Sequence, residues 1–179
     1  MKKSISLFVA IAGLFNISLL AQEEILAGKL FYVEVGGPGV IMSANFDSRF
    51  ESNERLGLGY RLGAGFGVKK FGGYYSLNAD DTPVRKIYYS FPAGLNYIVG
   101  KPNKSSTFEI GATVTVLTRK VSLYTYGDYK PGHLIGCFTF RYRMMPVNGG
   151  FSSRVGFTPI IGTAGNLFPM GAIGLGYAF

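Results

Sequence analysis

Apolar side chains alternate with small or polar ones in successive segments of the chain, and no other feature restricts its possible folds as strongly. In residues 55–67 the even positions are apolar, whereas the odd positions are glycine or arginine. Residues 107–117 and 133–143 repeat this period of two, with polar and small side chains sharing one face. Because side chains on a β-strand point alternately to its two faces, the pattern predicts strands with one apolar face.

Weaker copies of the alternation bring the predicted number of strands to about eight, the smallest even number usual for membrane barrels. They occupy residues 31–35, 42–49, 88–99, 151–158 and 170–179. The run Gly36-Gly37-Pro38-Gly39 predicts a tight turn between the first two strands. The alternative is one long bulged strand within residues 30–50, which would leave an odd number. Pro92, which has no N–H donor, predicts a bulge in the 88–99 segment.

The composition and the connections favour a barrel that spans a membrane. Among 179 residues there are 26 glycines, 12 tyrosines and 15 phenylalanines, which suits short strands and tight turns. Residues after Gln22 contain no apolar run long enough for a membrane helix, so strands that enter lipid must close on themselves. Alternate connections are short and long, as in outer-membrane barrels, and only the turn Gly36–Gly39 breaks this rule. The short ones are residues 51–54, 101–106 and 145–150, and the long ones are residues 68–86, 118–132 and 159–168.

These observations predict an all-β fold, an eight-stranded antiparallel up-and-down transmembrane β-barrel, in residues 22–179. A water-soluble barrel of the lipocalin kind would turn its apolar side chains inward, whereas here the charged residues share the face of the small ones. Residues 1–21 have a basic start, an apolar stretch and a small residue at Ala21, which predicts a cleavable signal peptide. An uncleaved anchor is the alternative, although the stretch is short for a full span.

The charge of the chain indicates contact with lipid rather than with nucleic acid. Without Lys2 and Lys3 of the predicted signal peptide, 16 basic residues face 10 acidic ones, a net charge of +6. An exported basic surface suits phosphate-rich lipid, whereas the Lys and Arg residues are scattered and form no stripe for a nucleic acid. The single cysteine, Cys137, excludes an internal disulfide. We therefore predict outer-membrane lipids and lipopolysaccharide as partners, and no cofactor or metal.

The ending GLGYAF, with aromatic residues at Tyr177 and Phe179 and an apolar residue at Leu175, resembles the signature by which barrel assembly machinery recognises outer-membrane proteins. The blocks YVEVGGPGVIMSANFDSRF, YSFPAGLNYIVGK, FEIGATVT and SSRVGFTPIIG are similar to small outer-membrane barrels of Bacteroidetes-type bacteria. That resemblance implies localisation in the outer membrane and contact with the assembly machinery during insertion. Members of this group mostly lack an assigned activity, so the resemblance implies no catalytic residue.

The inner face of the predicted barrel carries charges of both signs. An eight-stranded barrel is just wide enough for side chains to fill, and unpaired charges there would be unfavourable. We therefore predict an interior network of ion pairs that fills the barrel, and a narrow ion or small-ligand conduit is the alternative. The predicted members are Glu34, Asp47, Arg49, Arg61, Glu109, Arg141, Arg143 and Arg154.

The predicted function is non-enzymatic: a structural, adhesive or envelope-accessory barrel whose outward loops make the contacts. Basic and tyrosine-rich segments at residues 69–75 and 119–130 would contact lipid phosphates, polysaccharide or an unidentified extracellular protein. The alternative is a barrel enzyme that modifies lipid A, with His133, the only histidine, as a general base. Ser90, Ser122 and Asp128 would be its partners, but no motif fixes their spacing.

Overall fold

The structure is a computed structural model that describes residues 26–71, 84–121, 132–162 and 167–179. Within these residues no helix is both long enough and apolar enough to cross a membrane. The predicted signal peptide, residues 1–21, lies outside the described residues. The strands are β1 (Lys29–Gly36), β2 (Met42–Arg49), β3 (Gly57–Phe71), β4 (Val84–Gly100), β5 (Ser106–Val121), β6 (Gly132–Met144), β7 (Gly150–Ile161) and β8 (Leu167–Ala178).

The strands form one closed antiparallel barrel in chain order. Closure is made by β8 against β1, in a register that runs from Leu30 opposite Ala178 to Gly36 opposite Ala172. The predicted eight-stranded antiparallel barrel is therefore confirmed, and the 30–50 region forms two strands rather than one. Full closure leaves the first and last strands with partners on both sides, which removes the unpaired edges of an open sheet.

The two ends of the barrel differ. One end, called here the turn end, carries the connections 50–56, 101–105 and 145–149. The opposite loop end carries the connections 72–83, 122–131 and 162–166. Strands reach further toward the loop end than the sequence predicted, because Lys69 and Lys70 break the hydropathy pattern while the backbone pairing of β3 with β4 continues through them.

The predicted bulge at Pro92 is wrong. β4 keeps the same register with β3 on both sides of this residue, with Leu62 opposite Ala93 and Gly65 opposite Ser90. The row that Pro92 would form with β3 is missing, as expected of a residue without an N–H donor. The register shift lies instead between β5 and β6, in the interval between Val116 and Val121.

The outer surface of the barrel is apolar, and its interior over the turn-end half is mostly polar, with a small buried apolar cluster of Ala27, Leu30, Tyr32, Met145 and Ala178. Phe31 on β1 is 53% exposed and Ile173 on β8 is 62% exposed, whereas the carboxylates of Glu34 and Glu109 are fully buried. Every strand contributes to this exposed belt. One member from each, in chain order, is Phe31, Met42, Leu62, Leu95, Val114, Phe138, Val155 and Ile173.

Candidate functional site

Glu34 organises the first of three charged groups inside the barrel. Its carboxylate accepts from Nη2 of Arg61 at 2.8 Å and forms a second ion pair with Nη1 of Arg141. All three side chains are 1% exposed or less. One carboxylate on β1 thus binds guanidinium groups from β3 and β6, so this ion pair connects strands that are not neighbours in the barrel wall.

Glu109 on β5 organises the second group. It accepts from Nη1 of Arg143 at 2.9 Å, and Nη2 of Arg154 binds both of its oxygens. The Arg154 guanidinium also lies 4.1 Å from the ring centroid of Tyr32, and that of Arg61 lies 5.4 Å from the same centroid. Cations over an aromatic face are attracted by its quadrupole, so Tyr32 links the Glu34 group to the Glu109 group.

Asp47 on β2 organises the third group, toward the turn end. It binds Nη2 of Arg49 at 2.5 Å and accepts from the side-chain amide of Asn96. Nη1 of Arg143 lies 3.5 Å from Oδ1 of Asp47. Since the same nitrogen also pairs with Glu109, Arg143 connects the Asp47 group to the Glu109 group. Arg49 also donates to the amide oxygen of Asn96 at 2.6 Å and to the carbonyl of Gly57 at 2.9 Å.

The fold brings all eight charged residues of the predicted interior network into one connected cluster. Three carboxylates hold five guanidinium groups, so the cluster carries two more positive charges than negative ones. The predicted network consists only of charged residues, whereas the observed one has the uncharged members Tyr32, Asn45 and Asn96, which are also buried. Their positions along the strands have the same parity as Glu34, Asp47 and Ser90, and this parity could have identified them.

The connection between β1 and β2 folds into the barrel and lies on this network. We call its residues 37–39 the inward turn; all three are buried. Ser90 on β4 donates to the Gly39 carbonyl at 2.9 Å, and Thr115 on β5 donates to the Pro38 carbonyl at 2.8 Å. The sequence predicted only a tight turn here. Its inward direction depends on the space that the surrounding strands leave, which local sequence does not encode.

Gly37 is the point at which the inward turn meets the ion pairs. Its φ of +70° lies in the left-handed region that favours glycine. A Cβ at this position would lie 2.7 Å from Oε2 of Glu34 and 2.9 Å from Nη2 of Arg141. The absence of a side chain therefore lets the turn rest directly on the Glu34 group.

The interior on the loop-end side of the inward turn is apolar, a feature that the alternating pattern did not predict. The buried residues of this cluster are Val40, Tyr88, Leu117, Val121, Ile135, Cys137 and Ile160, with Phe168 and Met170 against them. The network, the inward turn and the apolar cluster thus fill successive levels of the barrel, which agrees with the small interior of eight strands.

Arg55 closes the turn end of the interior. Its Nη1 donates to the carbonyls of Pro102 and Lys104, each at 2.8 Å, and its Nη2 donates to that of Met145 at 2.6 Å. Burial, followed by the charge of Arg143, lowers the pKa of Arg55 from its ordinary value. Three carbonyl dipoles offset this desolvation, so one side chain joins all three turns of this end.

The residues proposed for lipid A chemistry are not brought into a single described site. Nδ1 of His133 lies 2.9 Å from the carbonyl oxygen of Leu117, and the Ser90 hydroxyl is directed into the barrel onto Gly39. Ser122 and Asp128 lie outside the described residues. Among the described residues no group of His, Cys, Asp and Glu has the arrangement of a metal site.

The residues of the predicted insertion signal lie on one face of β8 and in Phe179, the residue that follows it. Leu175, Tyr177 and Phe179 are 52%, 56% and 51% exposed, and they continue the apolar belt toward the turn end. The backbone N–H of Phe179 donates to the Lys29 carbonyl at 2.9 Å, and the backbone N–H of Lys29 donates to the Phe179 carbonyl at 3.0 Å. These residues are therefore ordered by β1 while their side chains face outward.

Fold and interior together define a class: a small eight-stranded antiparallel closed β-barrel with an ion-paired interior and an apolar exterior. Comparison with protein-family models, with curated proteins and with solved structures gave no match.

Proposed function

We propose that the protein is a non-enzymatic barrel of the bacterial outer membrane with a structural, adhesive or envelope-accessory role. The observation that carries this proposal is the belt of exposed large apolar side chains on all eight strands. Soluble proteins rarely expose contiguous apolar surface beyond a few hundred Å². A barrel with its polar groups inside and apolar groups outside is suited to lipid as its surroundings.

The filled interior favours a closed barrel over an ion or small-ligand conduit. The inward turn is fixed by hydrogen bonds from Ser90 and Thr115, and the ion pairs beside it are buried. In this proposal the lumen supplies stability and the loop end supplies contacts to the envelope or to an extracellular partner.

Export and assembly complete the proposal. The resemblance to Bacteroidetes-type small barrels and the apolar N-terminal stretch support secretion through a signal peptide. The outward row of Leu175, Tyr177 and Phe179 supports recognition by the barrel assembly machinery.

The experiment is expression of the full chain in a Gram-negative cell, followed by membrane fractionation and gel electrophoresis of heated and unheated samples. We expect the protein in the outer-membrane fraction, with a folded band that shifts on heating. A soluble periplasmic protein whose migration is unaffected by heating would overturn the proposal.

The non-enzymatic part of the proposal has its own test. Lipopolysaccharide extracted from cells with and without the protein should show identical lipid A by mass spectrometry. A modified lipid A that disappears in a His133→Ala variant would instead establish the enzyme alternative.

A further inference from the structure

The loop-end parts of β3, β4 and β5 carry a concentration of positive charge, with no ion pair to it among the described residues. We call this set the basic rim; its members are Lys69, Lys70, Arg85, Lys86, Arg119 and Lys120. Arg85, Lys86, Arg119 and Lys120 are exposed. None of these four forms an ion pair with a carboxylate among the described residues.

The strand register places like charges directly opposite each other. In the backbone register Lys69 is the partner of Lys86, and Lys70 is the partner of Arg85 in the next row. The Lys70 and Arg85 row has the strand parity of the exposed residues Val68 and Ile87, whereas the Lys69 and Lys86 row has that of the buried residues Gly67 and Tyr88. Directly opposed like charges destabilise a pair of strands, so two such rows in succession are unfavourable unless an anion lies beside them. Glu109, the one carboxylate in the described parts of β3, β4 and β5, is buried and bound to Arg143 and Arg154.

A third strand extends the rim. The guanidinium Nε of Arg119 on β5 donates to the Ile87 carbonyl at 3.1 Å, which holds this cation against the loop-end part of β4. Lys120 has the same parity along β5 as the outward residues Val114 and Val116. The cations therefore cover three neighbouring strands rather than one loop.

The position of the rim relative to the apolar belt indicates the kind of anion. Val68 directly precedes Lys69 and is 47% exposed; Ile87 directly follows Lys86, and both it and Tyr89, two residues further along β4, are 56% exposed. In a barrel surrounded by lipid, cations at the edge of the apolar belt lie at the level of the headgroups. The turn end has a smaller surplus, because its exposed cations Lys29, Lys101 and Lys104 accompany the exposed carboxylates Glu51 and Glu54 and exceed them by one charge.

We infer that the basic rim binds the phosphate groups of lipid headgroups in the membrane leaflet at the loop end. This inference rests on the proposed function, because it requires the apolar belt to be in lipid. Free inorganic phosphate shares the same chemistry, and the test below separates the two sources. Asp80 and Asp81 in the connection 72–83 and Asp128 in the connection 122–131 lie outside the described residues, and the test also addresses neutralisation by these carboxylates.

The test compares the native chain with a rim variant, Lys70→Gln/Arg85→Gln/Lys120→Gln, and a turn-end variant, Lys29→Gln/Lys101→Gln/Lys104→Gln, which loses the same charge. All three are first folded in phosphatidylcholine vesicles and checked by heat-modifiable migration. Failure of the native chain to insert would overturn the proposed function itself. Inserted proteins are then titrated with fluorescent bisphosphorylated lipid A and with its phosphate-free form.

We expect the native and turn-end proteins to prefer the phosphorylated form, and the rim variant, which lacks three cations, to bind it on the order of a hundredfold more weakly. Equal binding of both lipid forms, or an equal loss in the turn-end variant, would overturn the inference. Full competition by millimolar inorganic phosphate would assign the rim to free phosphate and overturn the headgroup assignment.

A stability measurement in phosphatidylcholine separates lipid phosphate from the loop carboxylates. If the rim cations are not neutralised until a lipid phosphate binds, the rim variant in phosphatidylcholine should be at least as stable to urea as the native chain, because its substitutions remove repulsion between like charges. A clear loss of stability in the rim variant would show that the loop carboxylates Asp80, Asp81 and Asp128 already neutralise the cations, and would contradict the inference.

Discussion

At the scale of single residues, the interior is held by carboxylates that each serve more than one arginine. Glu34 binds both Arg61 and Arg141, and every one of these side chains is buried. Removal of one partner from a buried ion pair leaves an uncompensated charge, which is strongly destabilising. Since the interior already has an excess of cations, loss of a carboxylate should be worse than loss of an arginine.

Glu34→Gln should therefore lower the free energy of unfolding by about 3–5 kcal/mol. Urea unfolding of the vesicle-folded protein, followed by circular dichroism and by the heat-modifiable band, measures the change. Glu54→Gln is the matched control, because Glu54 lies exposed in a turn; we expect a change within about 0.5 kcal/mol. Equal effects of the two substitutions would mean that the ion pairs contribute nothing to stability.

The scale of structural elements is where the inward turn matters most. Gly37 and Gly57 both have a positive φ, of +70° and +81°, but a Cβ at Gly57 would have nothing within 4 Å. Gly57→Ala should therefore lower the free energy of unfolding by about 1–2 kcal/mol through backbone strain alone. In Gly37→Ala the new Cβ also clashes with Glu34 and Arg141, so this variant should lower the free energy of unfolding by more than Gly57→Ala does. Urea unfolding measures both changes. Indistinguishable losses would argue against an inward turn that rests on the ion pairs.

The outward row on β8 gives a second prediction at this scale. We expect Phe179→Ala and Tyr177→Ala to reduce the amount of protein assembled in the outer membrane, measured as the heat-modifiable band in fractionated cells. Phe108→Ala, an outward aromatic that is 44% exposed on β5, serves as the control and should assemble more fully. Equal assembly of all three variants would remove the proposed signal role of β8.

The alternation of the sequence was sufficient to predict strands and the face of each side chain, because parity along a strand fixes direction. It did not predict the inward turn, since the space available to residues 37–39 is set by six other strands. The loop-end extensions of β3 and β4 were also missed, because Lys69 and Arg85 interrupt the hydropathy pattern without interrupting the backbone pairing. Arg55 has inward parity, but its three carbonyl partners come from distant turns.

At the scale of the whole molecule, the filled levels of the barrel predict that it does not conduct. Planar bilayers that receive the folded native protein should show no current steps above those of bilayers given heat-denatured protein. The physical reason is that the network, the inward turn and the apolar cluster occupy the space that eight strands enclose. Reproducible unitary currents would contradict this and would favour the conduit alternative.

The orientation of side chains relative to lipid is the central claim, and the chain suits a direct measurement because it contains no tryptophan. A lone reporter is introduced by Phe138→Trp, at an outward position 48% exposed, or by Tyr88→Trp, at an inward position 2% exposed. Each protein is folded in vesicles that contain brominated phospholipid. The account predicts strong fluorescence quenching for Phe138→Trp and little for Tyr88→Trp. Equal quenching at both positions, or stronger quenching at the inward one, would contradict a barrel with its apolar face in lipid.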